Sequence, residues 1–265
     1  MNLFVLVGIA FCLYFASIIL LIREINENRL KKLALTLAWL ASFFHLFSIS
    51  LTTWSKQGLD FSFFHTASLI SLIIAFILLF ASFSRPVEKL GIALFPIAAI
   101  LLALDYAFPS SVQMGQQYSL AMKMHILSSI IAFSLLTIAA FQSLLLALQN
   151  KQLKSHNPGR LMLSFPPLQA MESLLFQMIS TGLLFLSISL LSGFIFIEDL
   201  FAQHLAHKTF LSIIAWLIFS SLLIGRKRYG WRGMTAVRWT LYGFVCLLLA
   251  YFGSKLVLEL ILNKV

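Results

Sequence analysis

Charge is what this sequence has least of. Asp, Glu, Lys and Arg make up 11% of its 265 residues, against roughly a quarter in a soluble domain, while hydrophobic residues reach 60%. An ordinary globular domain is thereby excluded. A transmembrane β-barrel is excluded too, because its strands alternate apolar and polar residues over about ten positions, and the apolar runs here are apolar throughout. Cysteine is scarce as well. Cys12 and Cys246 lie far apart inside apolar runs, with neither the C-x-x-C spacing of a redox pair nor a second ligand nearby for a metal, and read as small packing residues. No P-loop, dinucleotide-binding glycine pattern, H-E-x-x-H or G-x-S-x-G is present. No catalytic residue is assigned; enzyme activity is left open, with a non-enzymatic role the preferred reading. Carboxylates are few and peripheral. Glu24, Glu27, Asp60, Glu88, Glu172, Glu198 and Asp199 fall in or beside links, and Asp105 and Glu259 lie near the outer ends of spans. A mid-membrane carboxylate, usual in the relay of a proton- or sodium-coupled transporter, is missing.

What is there is a succession of apolar stretches, each near the roughly 20 residues that cross about 30 Å of hydrocarbon. We place eight spans, at 3–22, 33–53, 63–83, 90–108, 122–148, 174–197, 207–225 and 239–262. The expected architecture is all-α: a single transmembrane domain, residues 1–265, folded as a bundle of eight transmembrane helices. Basic residues orient it. Arg23, Arg29, Lys31, Lys32, Arg85, Lys89, Lys151, Lys154, Arg160, Arg226, Lys227, Arg228, Arg232 and Arg238 follow the odd-numbered spans, leaving only Lys56, Lys123, Lys208, Lys255 and Lys264 for the opposite side. The positive-inside rule therefore puts the N- and C-termini outside. The net charge of +10 is largely topological and carries no nucleic-acid signal. Met1 to Ile22 has no basic residue ahead of its apolar run, so it is expected to stay as the first helix rather than be cleaved as a signal. Pro96 is the one proline inside a span and is expected to kink the fourth helix.

The histidines are unevenly placed. His45 lies in the outer half of the second span, His65 opens the third, His125 opens the fifth, His204 and His207 precede or open the seventh, and only His156 falls on the cytoplasmic side. Imidazole is a common ligand of haem iron, and burying it in a bundle is costly without a partner. Histidines at similar depth on different helices therefore read as a cofactor site. Phase adds detail. Ala34, Ala38, Ser42 and His45 share one helical face, which directs His45 into the bundle, and His125 heads a similar stripe with Ser128, Ser129 and Ala132. The alternative stays open for both that the imidazole merely hydrogen-bonds a serine or a carbonyl. For His65 and His204 a solvated or interfacial histidine is the preferred reading, and His207 falls between.

The second half carries a resemblance. Met124 to Gln149, beginning Met-His-Ile-Leu-Ser-Ser; Gly182 to Gly193, ending Leu-Leu-Ser-Gly; His207-Lys208-Thr209 leading to Ala215-Trp216-Leu217; Gly230-Trp231-Arg232-Gly233; and Ala250-Tyr251-Phe252-Gly253-Ser254 together resemble the transmembrane region of the CcsA/HemX-like cytochrome c assembly family. The resemblance spans about residues 110 to 260 and is nearest to the short, eight-helix inner-membrane members of YpjD type. It implies haem as the cofactor, carried across or along the membrane to the outer face in full-sized members, and makes His125 an outer-face haem-ligand counterpart. His45 and His207 are the candidate second ligands.

The departures from that family are as informative. Full-sized members present haem on a tryptophan-rich outer loop of the W-G-x-x-W-x-W-D kind, whereas the corresponding link here is Ile197 to Ala206. The family's histidine before the W-R-G turn is replaced, at about Ile224, by an aliphatic residue, and no histidine follows the last span. Haem ligase activity by this chain alone is not expected. The resulting reading is a haem-binding or haem-handling accessory factor at the outer half of the bacterial cytoplasmic membrane, with cytochrome c maturation proteins as partners. A HemX-like regulator of haem biosynthesis without stable haem binding is the alternative. A transporter subunit for another small molecule ranks third, since only Pro96 breaks a span and no repeat is seen. Arg226 to Arg238 reads as a topology anchor among anionic lipid head groups, or as a surface for a cytoplasmic partner or for haem propionates. The link Gln149 to Glu172, with Pro158, Gly159, Pro166 and Pro167, reads as a flexible connection.

Overall fold

The computed structural model describes residues 2–27, 29–55, 62–109, 120–155, 164–196 and 206–253. Among them there is no strand, and eight helices are long and apolar enough to cross a membrane. They are α1 (Leu3–Glu27), α2 (Lys31–Ser55), α3 (Phe63–Ala81), α4 (Gly91–Ala107), α5 (Leu120–Lys154), α6 (Leu168–Phe196), α7 (Ala206–Tyr229) and α8 (Met234–Leu248). A short 3₁₀ turn, Glu88–Leu90, leads into α4, and a π-helical turn, Leu249–Gly253, continues α8. Helix is the form expected of such runs, because lipid offers no partner for a free backbone N–H or C=O. α4 continues through Pro96.

The helices overrun their apolar cores. α1 extends to Glu27, α5 to Lys154, α6 starts at Leu168 and α8 at Met234, several residues beyond the spans drawn from hydropathy, because a helix persists into water where lipid contact has ended. The connection expected from Gln149 to Glu172 is corrected accordingly: both residues are helical, Gln149 donates its amide to Pro166 O at 3.0 Å, and the link itself is 155–167, of which 156–163 lies outside the described residues.

The chain groups into two compact units, helices α1–α4 and helices α5–α8. In the first, α1 packs on α2 and α4, and α3 packs on α2 and α4, which closes a ring of four. Its core mixes Tyr14, Phe95, Leu21, Leu78, Leu79 and Leu102 with buried Ser17, Ser42, Ser68 and Ser71. Ser17 Oγ of α1 donates to Ala34 O of α2 at 2.8 Å. Lys31, Glu88 and Glu24 gather at one end, with Lys31 Nζ 2.9 Å from Glu88 Oε1; Glu24 and Glu88, beside links as read from sequence, are buried. Cys12 is exposed on α1, correcting its reading as a packing residue.

The second unit closes the same way, α5 against α6 and α8, and α7 against α6 and α8. Small residues permit close approach, as expected of helices meeting in lipid. A Cβ at Gly182 would stand 2.8 Å from Leu136 Cγ, and one at Gly243 would stand 2.8 Å from the Phe219 ring. The α7–α8 turn is built on Gly230 (φ 67) and Gly233 (φ 54), a left-handed conformation that favours glycine. Glu172 of α6 accepts the Gly233 N–H at the start of α8, and the Arg226 guanidinium lies 3.7 Å over the Phe176 ring.

Candidate functional site

His125 is the sixth residue of α5, half-buried, with its ring turned toward α6. Nδ1 lies 2.9 Å from Ser189 O and 3.1 Å from Ser192 Oγ. A carbonyl oxygen only accepts, so Nδ1 carries the proton in the neutral ring and Nε2 keeps its lone pair. The serines of the His125 stripe turn back on it: Ser128 Oγ and Ser129 Oγ donate to His125 O at 2.9 and 2.8 Å. Ser129 Oγ also meets Ser189 Oγ at 2.5 Å. The Tyr251 ring packs 4.7 Å from that of Phe133. One polar cluster thus joins α5 and α6, with the end of α8 packed on α5 through the Tyr251 and Phe133 rings. Ser189 and Ser192 were not picked out from sequence as partners of His125; the only signal was that each falls in a segment carrying the family resemblance.

His207 is exposed, at the second position of α7 in the same unit. α5 and α7 are both odd-numbered helices, so alternation brings His125 and His207 in from one membrane side. His204 and His156 lie outside the described residues.

His45 belongs to the first unit. Ala34, Ala38, Ser42 and His45 are all fully buried, as their shared face suggests. Ser42 Oγ gives its proton to Ala38 O at 2.9 Å, which leaves Tyr14 as donor to Ser42 at 3.2 Å. The Tyr14 oxygen then accepts from His45 Nδ1 at 3.4 Å, and His45 Nε2 accepts from Ser68 Oγ at 3.0 Å. Both ring nitrogens are engaged. His45 could therefore meet iron only by giving up one of these partners.

His65 departs from its reading as a solvated or interfacial histidine. It is 5% exposed, and its Nδ1 lies 3.1 Å from Asp105 Oδ2 on α4. Asp105, read from sequence only as lying near the outer end of a span, is thus committed to a partner. Among the described residues no group of three or more His, Cys, Asp or Glu side chains is arranged to hold a metal ion. An imidazole whose Nδ1 is the hydrogen-bond donor, as at His125, has the chemistry of a single histidine ligand, which a prosthetic group bringing its other ligands with it would need.

Comparison with known proteins bears on this arrangement. The cytochrome C assembly protein family matches residues 28–262. The inner membrane protein YpjD of Escherichia coli (strain K12) is 34% identical over 210 residues, covering 77% of this chain and 78% of that protein. An uncharacterized 28.8 kDa protein of Azospirillum brasilense is 32% identical over 157 residues, 58% of each chain. The cytochrome c biogenesis protein CcsA of Chlamydomonas reinhardtii is 25% identical over 193 residues, covering 69% of this chain and 54% of that protein. No solved structure matches. A match over nearly the whole chain, together with eight helices able to span a bilayer, leads to one conclusion: the chain belongs to the cytochrome c assembly protein family and is a multi-pass inner-membrane protein of the cytochrome c biogenesis type.

Proposed function

We propose that this protein is a haem-handling accessory factor of cytochrome c assembly, acting at the outer half of the inner membrane, with His125 as the residue that would hold haem through its iron. The observation that carries this reading is the 2.9 Å hydrogen bond from His125 Nδ1 to Ser189 O, which leaves Nε2 as the ligating atom. Metal-bound histidines are commonly oriented by such a bond to a backbone carbonyl, which fixes the tautomer and raises the basicity of the ligating nitrogen. For the second ligand we favour His207, exposed in the same unit, over His45, which would have to release Ser68 or Tyr14. Haem, when bound, supplies a redox-active iron; the chain's own part is to hold it and limit water around it. Maturation proteins of the cytochrome c pathway are the partners this implies, with the basic segment Arg226–Arg238 as the surface for one on the cytoplasmic side.

An absorption spectrum of the gently solubilised protein, supplied with haem, tests the reading. A Soret band with resolved α and β bands is expected. His125→Ala should abolish or displace them, and His156→Ala should leave them intact. Bands indifferent to substitution of His125, His207 and His45 alike would make these structural histidines. A co-purifying cytoplasmic partner with no Soret band would favour the regulator of haem biosynthesis instead.

The side assignment has its own test. Periplasmic reporters fused after Trp54, Gln116 or Gln203 should be active and those after Glu27, Ser155 or Arg228 silent, since the basic residues crowd the second set of links. The reverse pattern would move His125 to the cytoplasmic face and end the outer-half reading.

A further inference from the structure

His65 shares with His125 the feature on which the haem reading rests. Its Nδ1 lies 3.1 Å from Asp105 Oδ2 and 3.3 Å from Oδ1. A carboxylate only accepts, so Nδ1 is the donor, and Nε2 keeps its lone pair in the neutral ring. Among the described residues no hydrogen bond reaches that Nε2. Ser134 Oγ and Gln149 Oε1 are sealed in without a partner; His65 Nε2 is partnerless but not sealed. His45, in the same unit, has both ring nitrogens engaged. A tie between α3 and α4 accounts for the Nδ1 bond of His65 and leaves Nε2 unaccounted for. A polar atom without a partner, on a residue only 5% exposed, calls for an explanation, and an ion or ligand that it takes up is one of the few.

The backbone fixes where this atom stands. His65 is the third residue of α3, and Asp105 comes two residues before the end of α4, so the pair closes one end of the first unit. α3 and α5 are both odd-numbered, and alternation brings His65 and His125 in from one membrane side. The same end carries aromatic surface: the rings of Phe64 and Phe108 stack, with centroids 5.2 Å apart and 24° between planes, and Phe108 is exposed. A bare cation would lack ligands there, since no group of three or more His, Cys, Asp or Glu among the described residues is arranged to hold one. A metalloporphyrin brings its own nitrogens and an apolar face, and asks the protein for one imidazole.

We infer that His65 is a second haem-binding histidine, in the first unit and separate from His125, with Asp105 as its positioning residue. The inference rests on haem as the ligand class, as the reading of His125 does. Asp105 is the stronger orienting partner of the two, because a carboxylate takes the Nδ1 proton in a charge-assisted bond, whereas Ser189 offers a neutral carbonyl. It holds the ring in one tautomer and makes Nε2 more basic.

The test titrates ferric haem into the full chain in nanodiscs, measured against empty nanodiscs and carried past one equivalent. The first equivalent should go to half-buried His125 and the second to His65. His125→Ala should remove the first and His65→Ala the second. Asp105→Asn should weaken the second by about 10- to 100-fold, the usual effect of removing a partner of a metal-bound histidine. It should also raise the reduction potential of that haem, since a less basic imidazole favours the ferric state less, and should leave the first unchanged. A tie that only joins α3 to α4 would not move that potential. Asp105→Asn keeps the size of the side chain, so it carries the test if His65→Ala does not fold. Uptake that stops at one equivalent and is lost with His125→Ala would overturn the inference and leave the reading of His125 standing; so would a second equivalent indifferent to His65→Ala and Asp105→Asn. Uptake that depends on His65 and Asp105 but not on His125 would uphold the inference and end the reading of His125. No uptake beyond that of empty nanodiscs would overturn both.

Discussion

His45→Ala should destabilise the first helical unit by about 2–4 kcal/mol, one of the largest single-site losses in the chain. The figure combines a cavity the size of an imidazole with the stranding of Ser68 Oγ and of one Tyr14 lone pair in an interior that admits no water. Tyr14 is fully buried and His45 is 0% exposed, so nothing from solvent replaces the lost partner. The individual bonds are modest, since hydrogen bonds between membrane helices average about 0.6 kcal/mol; the cavity makes up the rest. Ser50→Ala is the control, because Ser50 is exposed and bonds only within its own helix, to Phe47 O at 2.8 Å, and it should change stability by under about 0.5 kcal/mol. Thermal unfolding of the two variants in the same detergent decides the matter. Equal melting temperatures would show that the network of Tyr14, Ser42, His45 and Ser68 is not what holds α1, α2 and α3 together. Haem content per folded molecule, measured alongside, separates the structural part of His45 from a part as ligand: structure alone leaves it unchanged.

Expressed by itself in a strain lacking its own maturation system, this protein should yield no covalent c-type cytochrome. The reason lies in the link between α6 and α7. Attachment requires haem to be presented beside a bound apocytochrome, and residues 197–205 offer nine positions with no tryptophan among them, where the full-sized proteins that the sequence resembles carry a tryptophan-rich loop. On the proposed reading, haem would be held at His125 without being offered to an acceptor. Deletion from the native host should therefore lower cytochrome c or alter haem pools only in part, as removal of an accessory factor does. Haem-stained gels measure the first effect and pigment extraction the second. Covalent cytochrome made by the isolated protein would end the accessory reading, and unchanged cytochromes and haem in the deletion strain would move the preferred reading to the transporter.

What could be read from sequence and what could not divides along a physical line. Hydropathy reports where a helix touches lipid, so α3 and α4 were placed within two residues of their observed ends, Phe63–Ala81 and Gly91–Ala107. It is silent where a helix is held by protein. α6 starts at Leu168 because Pro167 O accepts the N–H groups of Ala170 and Met171, and its first turns, carrying Gln169, Glu172 and Ser173, look like a loop on any hydropathy scale. α8 starts at Met234 because Glu172, from another helix, takes the Gly233 N–H. Among the histidines, the burial of His45 was legible from spacing along its own helix, since Ala34, Ala38 and Ser42 lie on the same face. The partners were not. Tyr14 is 31 residues from His45, Asp105 is 40 from His65 and Ser189 is 64 from His125, and no periodicity in one segment identifies a residue that far away in another.

The length of α5 has a mechanical consequence. Its 35 residues span about 52 Å at about 1.5 Å per residue, against about 30 Å of hydrocarbon. Tilt absorbs some of the excess, and the remainder must project into water as a stalk ending in Lys151 and Lys154. Gln149, bonded to Pro166 O, braces that stalk against the chain leading into α6, so a load applied at its tip passes along a continuous rod whose other end carries His125.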